Sequence, residues 1–421
     1  MIATQSFFLW RVRDRIIRGD PDFTIYYTAA KIVREGRAAQ LYDARTQLSV
    51  QQEFTNDPEI RRSPLPFIHP AFEALLFLPL TFVSYPVAFL LWNLVSLAML
   101  FYISVLLRSF AFLRAFAGWE VMLACLAFFP VFANFQQGQD AILLLLLCVL
   151  GFRALRNRED FIAGCWLGLG MFKFHLMLPL FVVFALWRGR RFIFGFVSVT
   201  LAAAIASVAV VGWQGTLRYP IYAWHVISQP GFGRIPARQL PNLLGLVMGW
   251  PFAENGGWVL QLLVLLCSAG LLIATVRLAP SRLVWWKMQD EDSLKLGFAC
   301  AVIAALLVAY STGTYDLSLL VLPLAIVADY CLREFPGRGP RKLALLVPIA
   351  PLLLSPLWFL VWMRWQRTNL MAIFLLFWTC AIRKEILRRR AAGETIAASF
   401  ERAAQPASAG KTGSPSSVPP R

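Results

Sequence analysis

Residues 161–187 read FIAGCWLGLGMFKFHLMLPLFVVFALW, an apolar stretch of 27 residues with one lysine, Lys173, near its middle and His175 two positions on. How this stretch is threaded decides the topology around it. Read as one membrane crossing, it carries Arg188, Arg190 and Arg191 to the side opposite the chain's other basic loops. Read as two short helices, 161–172 and 175–187, meeting at Lys173-Phe174-His175, it keeps those loops together. Basic residues collect on one side of a membrane protein, so two short helices are expected.

The pattern continues in both directions. Further apolar segments fall at 85–107, 116–134, 140–154, 192–212, 257–279, 296–310, 316–332, 342–361 and 368–382, about eleven with the two halves above. Several are shorter than the roughly 20 residues an isolated span needs. Short or broken helices are tolerated where they line a cavity inside a bundle. Residues 71–83, bounded by Pro70 and Pro86, are too short to span and read as an interfacial or re-entrant helix. The chain is 58% hydrophobic and 15% charged, with mean hydropathy +0.62. Soluble domains have about 45–50% apolar and about 25% charged residues. The fold class is therefore an all-α polytopic membrane protein.

Net charge is +17 and pI about 10.1. In a soluble protein this would suggest nucleic acid, but here the basic residues flank apolar runs, where they orient the chain and meet lipid headgroups. Arg108 and Arg114, Arg153 to Arg158, Arg188 to Arg191, Arg282, Lys287 and Lys295, Arg333 to Lys342, and Arg383 to Arg390 share one side, read as cytoplasmic; Arg364 and Arg367 are exceptions. The other side collects 11–70, 136–140, 173–175, 213–256 and 311–316, the most polar and aromatic segments. Three regions result: 1–70 with the first outer loop, the bundle 71–382, and a basic cytoplasmic tail 383–421. The tail is Ala/Ser/Pro/Gly-rich from about Ala391 and is expected to be disordered. Eleven segments ending inside place the amino terminus outside, yet nothing in 1–20 could span and only Phe7-Phe8-Leu9-Trp10 is oily. The expectation is a first helix missing from the start, or a deeper insertion of 71–83. Seven cysteines form no CxxC pair and are read as small buried apolar residues.

The chemistry is sought on the non-cytoplasmic side. Residues 20–30, DPDFTIYYTAA, place Asp22 beside Asp20, Tyr26 and Tyr27. A carboxylate near a low-dielectric boundary suits a general base; the competing reading is a helix N-cap. In Gln136-Gln137-Gly138-Gln139-Asp140 the amides could bond sugar hydroxyls, or the segment could be a turn with Asp140 as cap. Lys173, mid-stretch, suits a phosphate partner; the alternative is a snorkelling lysine. The loop 213–256 offers Arg218, Tyr219, Tyr222, His225, Gln229, Arg234, Arg238, Gln239 and Asn242, and Asp316 is a second acid or a helix cap. His69, His175 and His225 are too scattered for a metal motif. P-loop, GxGxxG, GxSxG and HExxH patterns are absent.

In their order, these residues resemble glycosyltransferase family 87 of the GT-C superfamily, from about Asp20 to Leu324. The carriers are Asp22-Phe23 with Tyr26-Tyr27 and Ala29-Ala30, then Leu41-Tyr42-Asp43, then Phe67-Ile68-His69-Pro70 with Leu75-Leu76-Phe77-Leu78-Pro79-Leu80. Trp92-Asn93, Gly138-Gln139, Lys173 and Tyr315-Asp316-Leu317 complete the set. Ala71 replaces the family's second proline. The resemblance implies a GT-C-type bundle in the cytoplasmic (inner) membrane and inverting transfer of a sugar from a polyprenyl-phosphate donor. The sugar is most often mannose, with another hexose or arabinose as alternatives, and the acceptor is lipid-linked or a glycan. Carried over, Asp22 is the catalytic base. Tyr26, Tyr27, His69, Gln137, Gln139, Lys173, His175, Arg234, Arg238 and Asp316 form the substrate-binding set, with no metal and no cofactor beyond the lipid-linked donor. A transporter or flippase of a lipid-linked saccharide is the rival reading, since broken helices and Lys173 fit it too; an O-acyltransferase-like enzyme is a third.

Overall fold

The stretch 160–188 folds back on itself. Its halves are the helices Asp160–Leu169 and Phe174–Arg188, joined by a 3-10 turn, Gly170–Lys173. By length and composition Asp160–Arg188 passes for a single 29-residue crossing. A straight helix of that length would hold its ends about 40 Å apart at 1.5 Å per residue. Instead Asp160 Oδ1 lies 3.1 Å from Arg188 Nε, and the Arg188 guanidinium also donates to the Leu155 carbonyl. The chain returns to the level it left, and Lys173 marks the tip of the hairpin, as the basic-loop pattern predicts.

The computed structural model describes residues 2–55, 62–228, 235–250, 257–278, 291–337, 339–354 and 368–404. Gln229, Arg234, Arg282, Lys287, Arg338, Arg364 and Arg367 lie outside them. Four helices open the chain: α1 (Ile2–Ile17), α2 (Phe23–Arg34), α3 (Ala44–Thr55) and α4 (Phe72–Phe77), the last running into a 3-10 turn, Leu78–Phe82. α1 is helical but exposes Arg11, Arg13 and Arg15 and is not of spanning character. α2 is amphipathic, with Phe23, Tyr26, Ala29, Ala30 and Ile32 buried, and it stops where Gly36 turns left-handed (φ 73°). Its Phe23, Tyr26, Ala29 and Ala30 pack with Phe77, Tyr85 and Trp92 into a separate aromatic core.

α5 (Tyr85–Leu107) matches the expected 85–107. The single segment expected at 116–134 is instead α6 (Gly118–Ala127) and α7 (Phe129–Gln137), bent by 83°. Phe128 is extended (ψ 116°), and Pro130 sits in the first turn of α7, where its missing N–H is harmless. α8 (Ala141–Arg156) follows, then the hairpin arms α9 (Asp160–Leu169) and α10 (Phe174–Arg188), then α11 (Arg190–Ser228). α9 and α11 run parallel in close contact. A Cβ on Gly164 would come within 2.2 Å of the Phe192 carbonyl oxygen, and one on Gly195 within 2.0 Å of that of Phe161. Gly212 (φ 72°, ψ 172°) breaks α11 in two. The loop expected over 213–256 is therefore helical as far as Ser228, because Gly212 kinks the chain without ending the helix.

The remainder comprises α12 (Leu243–Met248), α13 (Gly257–Val276), α14 (Glu291–Val308), a 3-10 turn, Thr314–Leu320, α15 (Val321–Glu334), α16 (Pro340–Leu346), α17 (Ile349–Leu353) and α18 (Met371–Ala404). α18 continues helically through 391–404, where disorder is expected from composition. Among the described residues five segments are long and apolar enough to cross a membrane, or six if α6 and α7 count as one. The other expected segments correspond to shorter or more polar helices such as α8 and α14. α14 is buried on nearly all its faces from Leu294 to Leu307, which makes it the central post of the bundle.

Candidate active site

At one end of α14 a cavity of about 190 Å3 is lined by the start of α2, the 65–69 segment, the α7–α8 junction, the hairpin tip, the end of α11, the 235–244 stretch and the chain from Tyr310 to Asp316. Asp22, His69, Gln139, Lys173, His175 and Asp316, far apart in sequence, all line it.

Asp22 stands at the N-cap position of α2, yet its side chain makes no cap bond. Its Oδ2 instead accepts a 2.8 Å hydrogen bond from Gln139 Nε2, and its carboxylate shares the cavity wall with Tyr315. The Asp22 backbone N–H donates to Gln137 Oε1 at 3.2 Å. The helix-cap reading is thus overturned: the carboxylate belongs to the cavity.

Gln139 is held from three directions. Tyr26 OH donates to Gln139 Oε1 at 2.7 Å, Lys173 Nζ approaches the same oxygen at 3.5 Å, and Trp92 Nε1 donates to the Gln139 carbonyl at 3.3 Å. With two donors on Oε1, the amide nitrogen must face Asp22. The turn that delivers Gln139 needs Gly138, which is left-handed (φ 61°, ψ 38°). A Cβ there would lie 2.7 Å from Phe23 Cβ and 2.8 Å from the Phe89 ring.

Lys173 is buried, 2.6 Å from Asp316 Oδ1 and 2.8 Å from Asp140 Oδ1, with its ammonium 4.8 Å from the Tyr315 ring centre. The Asp140 contact is a close charge pair whose angles are poor for a hydrogen bond. Asp140 holds the N-cap position of α8 without capping it. Asp316 caps the turn it stands in, its Oδ2 accepting the Gly313 N–H at 2.7 Å, while its other oxygen pairs with Lys173 at the cavity. A lysine matched by two carboxylates is anchored rather than snorkelling.

His69 forms the cavity wall beside Tyr26. Its Nδ1 is 2.7 Å from Glu73 Oε2, and Tyr42 OH donates to its carbonyl at 3.0 Å. Burial, with the Lys173 charge adding, pulls its pKa down to about 4 against the opposing pull of Asp140, Asp316 and Asp22, so the imidazole is neutral. Burial, then Asp140, pushes the Glu73 carboxyl well above its ordinary range. Burial pushes the Tyr26 phenol up as well, so it remains a donor. His175 stacks edge-on against Tyr310 at 5.1 Å.

The remaining expected residues lie elsewhere. Tyr27 donates to the Val83 carbonyl at 2.8 Å and packs on Phe54 and Tyr85, away from the cavity. Gln137 and Tyr26 act behind the wall. Arg238 does not line the cavity and its Nε is buried without a hydrogen bond; Arg234 is outside the described residues. Glu73 lies beside the site and escaped the sequence reading, whereas Asp140 was read only as a helix cap and Tyr315 only as a carrier of the resemblance. The available signals were an acid four residues after His69, and an acid next to Gln139. His69, Glu73 and Asp140 are also the trio among the described residues whose donor atoms lie within 4.8 Å of one another, the spacing a metal ion would need.

The arrangement places one carboxylate, held by an amide, at the wall of a cavity large enough for a substrate group, with a buried cation nearby. No curated relative and no solved structure matches the chain. The family model for glycosyltransferase family 87 (GT87) matches residues 67–309, more than half of the chain and a span that holds His69, Gln139 and Lys173. The chain therefore belongs to glycosyltransferase family 87.

Proposed function

We propose that the protein moves a sugar, mannose in the first instance, from a polyprenyl-phosphate donor to a hydroxyl of a lipid-linked or glycan acceptor, with inversion, at the outer face of the cytoplasmic membrane. The observation that carries this reading is Asp22, which forgoes its helix cap and lines the cavity on the Gln139 amide. Asp22 takes the proton of the acceptor hydroxyl as that oxygen bonds to the sugar's anomeric carbon. The bond from that carbon to the phosphate oxygen breaks, and polyprenyl phosphate leaves with the electron pair. A phosphate is a good leaving group, so no general acid is needed. Lys173, already matched by Asp140 and Asp316, fixes the cavity's charge frame. Arg238 does not line the cavity, but it stands on the turn that leads to the cavity residue Leu240 and in this reading meets the departing phosphate.

Two features support the outer-face assignment. The cavity sits at the end of the bundle opposite Arg156, Arg333, Arg341 and Arg389, which the orientation rule assigns to the cytoplasm. Glu385 and Arg389 of α18 lie with those arginines. Membranes carrying the protein, incubated with radiolabelled polyprenyl-phosphate mannose or arabinose, are expected to yield a labelled lipid or glycan from one donor. Label from neither donor, in membranes that contain the inserted protein, overturns this reading.

A further inference from the structure

One junction grips Asp22 in two places. Gln137 and Gln139 flank Gly138 between α7 and α8. Gln137 Oε1 accepts the Asp22 backbone N–H at 3.2 Å, and Gln139 Nε2 donates to Asp22 Oδ2 at 2.8 Å. The other end of the Gln139 amide returns to the same helix. Tyr26, one turn after Asp22, donates its OH to Gln139 Oε1 at 2.7 Å. A single amide thus ties together two side chains four residues apart on α2.

The polarity of that amide is fixed from outside. Its oxygen only accepts and its nitrogen only donates. Lys173 Nζ, a donor with no acceptor capacity, lies 3.5 Å from Oε1, so the nitrogen is the end left for Asp22. Lys173 cannot follow the amide if it turns, because Asp140 and Asp316 hold it at 2.8 and 2.6 Å. Trp92 Nε1 holds the Gln139 carbonyl at 3.3 Å, and left-handed Gly138 sets the direction in which Gln139 leaves the turn. Gln139 is only 3% exposed, and both ends of its side chain are engaged by protein.

We propose that Gln139 is a positioning residue for the transfer and not a ligand of the sugar: its amide turns the Asp22 carboxylate into the cavity and fixes it there. The effect on transfer rests on the reading of Asp22 as the base; the clamp between Asp22, Gln139 and Tyr26 does not. The two roles fail differently. Loss of a bond made equally to bound substrate and transition state raises KM, whereas loss of orientation at the base lowers kcat.

The test is transfer by the full chain in membranes, from whichever of polyprenyl-phosphate mannose and arabinose labels product, over donor concentration and pH. Gln139→Met keeps the volume and cannot bond Asp22. It is expected to lower kcat by about 10- to 100-fold, with KM for the donor within about two-fold of the wild type. The acid limb of its pH–rate profile should move to higher pH, because a donor to a carboxylate favours the ionised form that acts as base. The titratable groups around Asp22 are Tyr26, His69, Lys173, Tyr315 and Asp316, and all remain in this variant. Gln139→Glu sets a second carboxylate against Asp22 and should move the limb further the same way. Tyr26→Phe leaves Gln139 in place but releases one of the two donors on Oε1. It is expected to lower kcat by about 2- to 10-fold with the same direction of shift, and it decides the matter if Gln139→Met does not fold.

Wild-type kinetics, or a raised KM with kcat and pH profile unchanged, overturn the proposal. Unfolding temperatures of Gln139→Met, Asp22→Ala and the double variant read the clamp without transfer. The two losses should not add, since either substitution removes the same bond; additive losses also overturn the proposal. Failure of Asp22 as the base would appear differently, as wild-type transfer by Asp22→Asn with that coupling intact.

Discussion

α14 joins two poles of buried charge that are built in opposite ways. At the cavity pole Asp140 and Asp316 share one lysine, Glu73 lies against His69, and Asp22 accepts from an amide beside a phenol. At the other pole Asp292, Asp329 and Glu385 each meet at least one arginine. Arg333 reaches Asp292 at 2.6 Å and Asp329 at 2.9 Å, Arg389 lies 3.5 Å from Asp292, and Arg341 and the Tyr330 hydroxyl both bond Glu385. α14's 18 residues separate the poles by about 27 Å. One pole is cation-rich, half open to water and closed on itself; the other is acid-rich, dry and opens on a cavity. Matched charge of the first kind ties helices together. Unmatched charge beside a cavity is where reactive groups are found, and the asymmetry therefore separates structural ionic contacts from chemical ones.

The sharpest way to break this contrast is to remove the one cation of the cavity pole. Lys173→Ala leaves Asp140 and Asp316 facing each other and is expected to destabilise the protein by about 3–5 kcal/mol, read by thermal unfolding in detergent, with transfer lost as well. At the opposite pole Glu385→Gln weakens bonds to a charged group and is expected to lower stability by about 1.5–3 kcal/mol while sparing transfer by the folded fraction. A large loss of transfer there would erase the distinction.

Acid distinguishes the cavity pole more gently. The His69 pKa falls from 6.5 to about 4 on folding. Its contribution to stability is therefore present above pH 6.5 and lost as pH falls through about 4. Unfolding temperatures measured over this window should drop more steeply for the wild type than for His69→Gln. The smallest effect is expected at the half-exposed Arg156–Glu291 pair, where Arg156→Ala should change stability by less than about 1 kcal/mol.

Much of this was legible from residues alone. α5 falls on the expected 85–107 because a 23-residue apolar run has few alternatives. The hairpin at Lys173 was found from the arginines after it rather than from its own composition, which suits a single span equally well. The break at Phe128 was missed because an apolar run hides a kink unless Pro130 is given weight. Gln139 and Asp316 were visible as polar residues between apolar runs. Asp22 and Asp140 show the limit: both occupy N-cap positions, and pattern cannot tell a carboxylate that turns back to its own helix from one that turns toward a residue over 100 positions away. Glu73 carried only a local signal, its place four residues after His69, and its nearness to Asp140 is made by a distant helix.

The central claim is that the Asp22 carboxylate is the base of a glycosyl transfer. The most direct test is the rate of sugar transfer by Asp22→Asn in protein shown to be folded and inserted, with Glu385→Gln as the reference for damage far from the cavity. The expected result is a fall of about 100- to 10,000-fold with an unchanged unfolding temperature. Transfer at the wild-type rate by Asp22→Asn would contradict the assignment.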